Sequence, residues 1–308
     1  MKVAIVGGGT CGLYLGRKLS EKGNSVTIFE KSKSIGGKAC SGLFSERIFN
    51  FVPESRDLVK NVIKGAVIHF PKKDVELVFS NKFYVIDRSG FDVLLGELAK
   101  QSGATINFNS EVSELPNNFE RIIGCDGALS SIRKKLGLKD PNFKLGILGF
   151  LKKKSSGNYV ETWPCENGFI WKIPRGDSIE YGIMASLSRA RNIFKNFLAE
   201  QNISLMDVQS RVIPQGFIMP RNRFVALCGD AVGLTKPWSG GGVVWGLTAA
   251  EILLKNFPDF LKYRRKMISF FLPKIVFSKL AVKIVYSMGF QFPYLLPKKN
   301  KIESDFLL

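Results

Sequence analysis

The chain has 308 residues, 45% apolar, 12% aromatic and 23% charged; this is a globular composition near the upper limit for one hydrophobic core, which excludes disorder and points to one large domain or two sharing the chain. A single histidine, His69, and five cysteines without a Cys-x-x-Cys pair speak against a metal site, a disulfide framework or a His-dependent nucleophile, and suggest a reducing compartment. The formal net charge of +19 favours an anionic partner: nucleic acid, phospholipid headgroups, or a phosphorylated or acidic substrate.

The opening residues predict β-α-β. Val3, Ala4, Ile5 and Val6 form a continuous apolar run suited to a parallel strand buried on both faces, and residues 26–29 form a second. Between them Leu13, Gly16 and Leu19 recur at helical spacing, with Gly23 where a helix end tolerates positive φ. The short apolar run at the start is neither a signal-peptide core nor a spanning helix, so a cytoplasmic location is expected.

Residues 66–70, 75–79 and 83–86 read as antiparallel strands broken by Pro71, Asp74 and Asn81. A helix is predicted at 91–101, strands at 105–108 and 121–123, a strand-rich stretch at 144–187, and a helix near 189–200. A further buried-type strand at 223–228 leads through a glycine-rich turn into a helix at 242–255. Residues 256–308 carry ten basic and three acidic residues among Phe, Ile, Val and Leu. Lys274, Lys279 and Lys283 interrupt the apolar stretch, so an interfacial amphipathic helix is expected rather than a membrane span.

Gly7-Gly8-Gly9-Thr10-Cys11-Gly12 is a GxGxxG turn between the first strand and helix. Its glycines permit close approach of a pyrophosphate, which the helix N-terminus stabilises. Glu30 closes the second strand, where a carboxylate can accept hydrogen bonds from an adenosine ribose. This frame predicts dinucleotide binding without separating NAD from FAD.

Two later segments resemble flavoenzymes of the p-hydroxybenzoate hydroxylase-like fold. Gly124-Cys125-Asp126-Gly127, with Ser130 and Arg133, is similar to their GADGxxSxVR motif, and Gly229-Asp230-Ala231, with Pro237 and Gly240-Gly241-Gly242-Val243, to their second FAD fingerprint. Within that fold, Gly36-Gly37-Lys38-Ala39-Cys40-Ser41-Gly42-Leu43 with Arg47, Gly168-Phe169-Ile170-Trp171-Lys172-Ile173-Pro174, and Arg88 with Phe91, Asp92 and Leu95 resemble segments of the geranylgeranyl reductase family. Thr10 stands where that pattern often has proline, and Cys11, Cys125 and Cys228 where it has small residues.

The resemblance implies an α/β fold with a Rossmann-like FAD-binding domain (1–65, 86–140 and 221–256) interleaved with an antiparallel substrate domain (66–85 and 141–220), followed by basic amphipathic C-terminal helices (257–308). It implies FAD held by Gly7, Gly9, Cys11, Gly12, Glu30, Cys40, Ser41, Arg88, Val112, Asp126, Asp230, Gly242 and Val243. Cys40 is the catalytic candidate: a thiol beside reduced flavin can position an alkene or relay a proton, the plainer reading being a small wall residue. Trp163 and Trp171, with Phe169, are candidates to line an apolar substrate slot, the alternative being ordinary core. His69, on an apolar strand, reads as structural.

The activity implied is reduction of isoprenoid C=C bonds on a lipid, with an unidentified electron donor and peripheral contact with an anionic membrane. The same fold also serves flavin monooxygenases, and a basic nucleotide fold without catalysis is a third reading. No helix-turn-helix, zinc finger or aromatic RNA platform supports nucleic acid as partner.

Overall fold

The computed structural model describes residues 1–37 and 39–303. In chain order the elements begin with β1 (Lys2–Val6), α1 (Thr10–Glu21), β2 (Ser25–Phe29), β3 (Leu43–Ser45), α2 (Ile48–Phe51), β4 (Val59–Phe70) and β5 (Lys73–Ile86). There follow α3 (Arg88–Gln101), β6 (Thr105–Asn107), β7 (Arg121–Gly124), α4 (Ser131–Lys135), β8 (Asn142–Leu151), β9 (Tyr159–Cys165), β10 (Gly168–Pro174) and β11 (Ile179–Ser186). The chain continues through α5 (Ala190–Glu200), β12 (Met206–Gln215), β13 (Val225–Leu227), α6 (Val243–Asn256), α7 (Phe260–Gln291) and β14 (Lys299–Ile302).

These elements divide into two compact units, one comprising Met1–Gly37, Ser89–Asn142 and Pro214–Val276, the other Lys38–Arg88, Phe143–Ile213 and Phe277–Leu308. The division departs from the expected boundaries by a few residues at 86–88, 141–142 and 214–220, and by longer stretches in two places. Residues 39–65 go with the antiparallel sheet because β3 and β4 both pair with β5. The start of the basic C-terminal region goes with the parallel sheet, since Phe260, Tyr263, Met267, Phe271 and Ile275 are buried and recur at helical spacing.

In the first unit the strand order is β13-β7-β1-β2-β6, and the pairings are parallel. Val3, Ala4, Ile5 and Val6 are buried, as a parallel strand covered on both faces requires. Helix α6 buries Val244, Trp245, Leu247, Ala249, Ala250, Leu253 and Leu254, which leaves it little polar surface and makes it a core helix. Tyr14 of α1 donates to Glu251 of α6 at 2.5 Å, tying the two helices together. Burial first, then the bond to Glu251, holds the Tyr14 phenol above its ordinary range.

The second unit is a sheet of order β12-β8-β11-β10-β9-β4-β5-β14, with β3 beside β5. It is mainly antiparallel, but β4 runs parallel to β9 and β14 parallel to β5. The turn expected at Asn81 is not a turn: β5 continues through it. The register instead slips between Ile63↔Phe83 and Gly65↔Val78, so the polar interruption becomes a bulge in one long hairpin. Strands β12 and β14, β3 and the start of β4 have no counterpart in the expected elements; β12 alternates poorly and is largely exposed, so it lacks the apolar period that would reveal it.

One face of this sheet packs Ile147, Ile170, Ile183 and Tyr181 against Ala190 and Phe194 of α5. A different cluster holds Ile63, Val85, Val160 and Ile173 with Trp171 against it. The Trp171 indole lies over Gly182, where an added methyl carbon would stand 2.2 Å from the ring. Gly182→Ala should therefore displace the indole and destabilise the fold by about 1–3 kcal/mol. The expected result is a lower urea midpoint with an altered near-UV tryptophan signal.

Candidate functional site

Three glycine corners meet at one edge of the parallel sheet. Val6 pairs with Gly124, and Leu227 with the same Gly124, so three strands end level with one another. The C-terminal edge of an open parallel sheet is where such folds bind ligands, because strand ends and helix N-termini converge there.

Gly7 has φ +106°. A methyl carbon added to it would lie 2.4 Å from the Cys125 carbonyl oxygen, and one added to Gly12 would lie 2.0 Å from the Gly7 carbonyl. Only hydrogen fits at either position. Helix α1 then begins at Thr10, with no side-chain cap and no acidic residue in its first turn; the positive end of its dipole is suited to an anion. The Thr10 hydroxyl donates to Asp92 of α3 at 3.2 Å, a link that explains how threonine serves where proline was expected.

Glu30 is 4% exposed. One of its oxygens accepts from the Gly8 N–H at 2.7 Å and the other from the Ser32 N–H at 2.9 Å. A carboxylate oxygen accepts more than one hydrogen bond, so a sugar hydroxyl can add to each. At the third corner Gly229 and Gly233 adopt positive φ, and Asp230 Oδ1 lies 2.9 Å from where a Gly242 methyl carbon would be. The carboxylate thus sits beside the N-terminus of α6, which again carries no acidic residue or side-chain cap in its first turn. Val243 opens that helix, half-buried.

Several of the expected ligands have polar atoms engaged in building this edge. Asp126 accepts from the Ser130 hydroxyl at 2.6 Å, the Ser131 hydroxyl at 2.9 Å and the Ile132 N–H at 3.1 Å, which is a capping role at α4. Arg133, fully buried, donates to the carbonyls of Ala128 at 2.8 Å and Ala231 at 3.0 Å and is paired with Asp140. It therefore staples the second corner to the third. Hydrogen bonds from a charged donor contribute about 1.5–3 kcal/mol each, against about 0.3–0.5 for an exposed pair such as Arg17 with Glu21. Arg133 was legible in the sequence only as part of the motif.

Cys11 also builds. Its sulfur fills the space over Gly229 and Gly246, where added methyl carbons would lie 2.7 and 2.6 Å away. Cys228 joins it through hydrogen bonds shared with Cys11, Cys125 and Tyr263, and Tyr263 donates to the Leu227 carbonyl at 3.0 Å. The bond from Cys228 draws the Cys125 thiol down, but burial and neighbouring charge outweigh it, so the net direction is upward. Cys228 is lowered by its bond to Cys11 and raised by Cys125 and by burial, ending well above the ordinary thiol range. Among the described residues no His, Cys, Asp and Glu cluster is placed to hold a metal ion. Val112 is half-buried in the loop between β6 and β7.

The other candidates belong to the second unit. Cys40 is free and half-buried in coil; Lys38, two residues before it in the motif, lies outside the described residues. The Ser41 carbonyl accepts from Arg175, whose guanidinium pairs with Glu180 at 2.9 Å. Glu180 is fully buried and also accepts from Trp171 Nε1 at 2.8 Å. Burial pushes its carboxyl up in spite of Arg175 and Trp171. Gly42 closes the segment against the Ile86 carbonyl, with a methyl-carbon distance of 2.3 Å. The sequence reading missed Arg175 and Glu180, although a glutamate inside the apolar strand 179–186 was a signal. Arg88 opens α3 and is buried.

The two tryptophans do not share a slot. Trp163 pairs with Ile170, and Trp171 with Thr162, and directly opposed residues point to the same face while neighbours point to opposite ones. Trp163 faces α5, stacked on His69 at 4.9 Å and beside Phe197; Trp171 points the other way, with Phe169 at 5.7 Å. His69 is also bonded to Asp74 at 2.9 Å, which fits a structural role.

Comparison with known proteins gives this geometry a context. A family described as an NAD(P)-binding Rossmann-like domain matches residues 5–53. The chain is 25% identical to a digeranylgeranylglycerophospholipid reductase of Methanococcus vannielii over 82% of its length and 77% of the relative's. It is 26% identical to the protein of that name from Thermoplasma acidophilum, covering 81% and 77%. Over most of its length the chain is thus similar to geranylgeranyl-lipid reductases, and it is an FAD-dependent oxidoreductase. A geranylgeranyl bacteriochlorophyll reductase-like protein from Thermoplasma acidophilum has the same fold, with TM-score 0.82 at 21% identity over 92% of this chain and 86% of that one. A myxobacterial chondrochloren halogenase shares it more distantly, with TM-score 0.73 at 13% identity over 93% and 82%.

The cofactor of this oxidoreductase is FAD, and the first unit fits it: two glycine cradles, two uncapped helix starts and two carboxylates lie at one sheet edge. Glu30→Ala should raise the FAD dissociation constant by about tenfold or more, since a charged hydrogen bond is worth about 1.5–3 kcal/mol; flavin fluorescence titration of the apoprotein measures it. Asp126→Ala should instead lower stability by about 0.5–2 kcal/mol, the cost of a lost cap.

The buried thiols set a pH dependence. Held above their unfolded pKa, Cys125 and Cys228 contribute stability that is intact below about pH 8.5 and is lost as pH rises past it. Urea midpoints should fall through the alkaline range, and less steeply in a Cys125→Ala/Cys228→Ala double variant.

Proposed function

We propose that the protein saturates carbon–carbon double bonds in the isoprenoid chains of a lipid. The observation that carries this reading is the alignment, over four-fifths of the chain, with relatives named digeranylgeranylglycerophospholipid reductase. When bound, reduced FAD supplies the hydride chemistry that alkene saturation requires. The chain supplies the rest. The Gly7–Gly12 turn and the start of α1 would hold the pyrophosphate, Glu30 the ribose, and Asp230 with the Gly242 and Val243 backbone the ribityl chain and ring. Gly9 and Cys11 serve as turn and packing residues of that cradle.

Cys40 is the proposed catalytic side chain, holding the alkene or moving a proton at its sulfur. Ser41 and Arg88 belong to the same proposal as FAD contacts. Arg175 and Glu180 are positioning residues, because Arg175, paired with Glu180, fixes the Ser41 backbone. Trp171, with Phe169 beside it, is retained as a candidate apolar wall, whereas Trp163 packs half-buried against the cluster under α5.

Incubating the prereduced holoenzyme with an unsaturated prenyl lipid should add two hydrogens per bond by mass. Failure with every prenyl substrate, or oxygen-dependent gain of an oxygen atom, would overturn the reading. Asp230→Ala should abolish flavin retention in the visible spectrum. Cys40→Ser should keep the flavin and lower turnover by at least tenfold.

A further inference from the structure

Helix α7 spans 32 residues and changes character along its length. Its early apolar residues are buried, but beyond Ile275 the exposed large side chains include Val276, Phe277, Leu280, Ile284 and Phe290, followed by Phe292, Tyr294 and Leu295 in the turn after the helix. Leu280 is 55% exposed, Ile284 49% and Tyr294 73%. Helical geometry puts Val276, Leu280 and Ile284 in line, four residues apart, with Phe277 beside them.

The opposite face is anchored. Tyr286 donates to the Gly168 carbonyl at 3.0 Å. Gly289 lies against Phe70, whose ring would be 2.0 Å from an added methyl carbon. Phe70, Val75 and Leu296 form a buried cluster with Met288 packed against it, and β14 then joins the sheet beside β5. The outward apolar row is therefore held rigidly in place and is not a frayed end.

Charge distinguishes what can cover it. From residue 260 to 302 there are ten basic residues and no acidic one. Lys279 and Lys283 are exposed beside the apolar row, and Lys298, Lys299 and Lys301 follow the turn. Among the described residues no helix is long and apolar enough to cross a membrane. An apolar row edged by lysines, with an aromatic pair at its end, matches the acyl boundary and anionic headgroups of a bilayer surface. A second copy of the chain would bring this concentration of positive charge against itself.

We propose that the outward face of the C-terminal half of α7, with the turn through Tyr294, docks on an anionic lipid bilayer. The proposal deepens the reading of the substrate as a lipid and rests on it. The test is flotation of the FAD-loaded full chain with phosphatidylcholine vesicles, with and without phosphatidylglycerol. The protein should float with the anionic vesicles, more weakly in high salt, and poorly with the neutral ones. Leu280→Glu/Ile284→Glu should reduce binding at least tenfold while flavin content, circular dichroism and reduction of a prenyl lipid in detergent stay unchanged. Lys279→Glu/Lys283→Glu, which leaves every apolar side chain in place, should lose the preference for anionic vesicles.

Absence of flotation, or flotation indifferent to both variants, overturns the proposal. So does lipid-free self-association that Leu280→Glu/Ile284→Glu abolishes, because a second copy then covers the face. Normal flotation without reduction of any prenyl lipid in detergent would sink the catalytic reading instead.

Discussion

Hydrogen-bonded register at the edge of the parallel sheet is the constraint on which the candidate cofactor site depends. Val6, Gly124 and Leu227 stand side by side, so three segments distant in sequence deliver their turns to one line. The turns then touch through backbone: Gly7 against the carbonyl of Cys125, and Gly12 against the carbonyl of Gly7. At this spacing side chains have no room, which leaves N–H groups, helix ends and two carboxylates to meet any ligand. Flavoenzymes of one fold can differ widely in reaction, because function lives in sites grafted on the fold.

Behind the edge lies a second layer whose work is mechanical. Arg133 bonds to carbonyls on two corners, Asp126 caps α4, and Cys11 fills the space above two glycines. Each is a motif position whose side chain contacts protein. A motif residue is thus not by that fact a ligand, and the distinction lies in where its polar atoms are already engaged. The segment bearing Cys40 follows the same logic in the other unit. A buried Arg175–Glu180 pair, with Trp171 as a further donor, fixes the Ser41 carbonyl. A buried ion pair gains little net stability, so its value here is the defined conformation of the segment it holds.

The C-terminal region shows how one helix can serve two environments. Its first half supplies Tyr263 and Phe271 to the core, and Tyr263 reaches the Leu227 carbonyl next to the thiols. Its second half presents apolar side chains outward among lysines. Average composition over residues 256–308 hides this change, because phenylalanine and isoleucine occur throughout, and only their partners differ.

The β-α-β opening, the three glycine corners, Glu30 and Asp230 were legible from residue order alone, because each is a local requirement: a buried strand needs an apolar run, and a phosphate turn needs glycine. The long hairpin β4–β5 was read as shorter strands, because a bulge and a turn carry the same polar signal at Asn81. Strand β14 was not read at all, since its lysines show no apolar period. The separation of Trp163 from Trp171 was likewise invisible. It follows from cross-strand register, which pairs one with Ile170 and the other with Thr162. Sequence by itself determined the three glycine corners, whose local requirements are written in consecutive residues, and its resemblance to known flavoenzymes pointed to the cofactor class. Tertiary structure decided which motif side chains brace the fold, because that depends on partners far away in the chain.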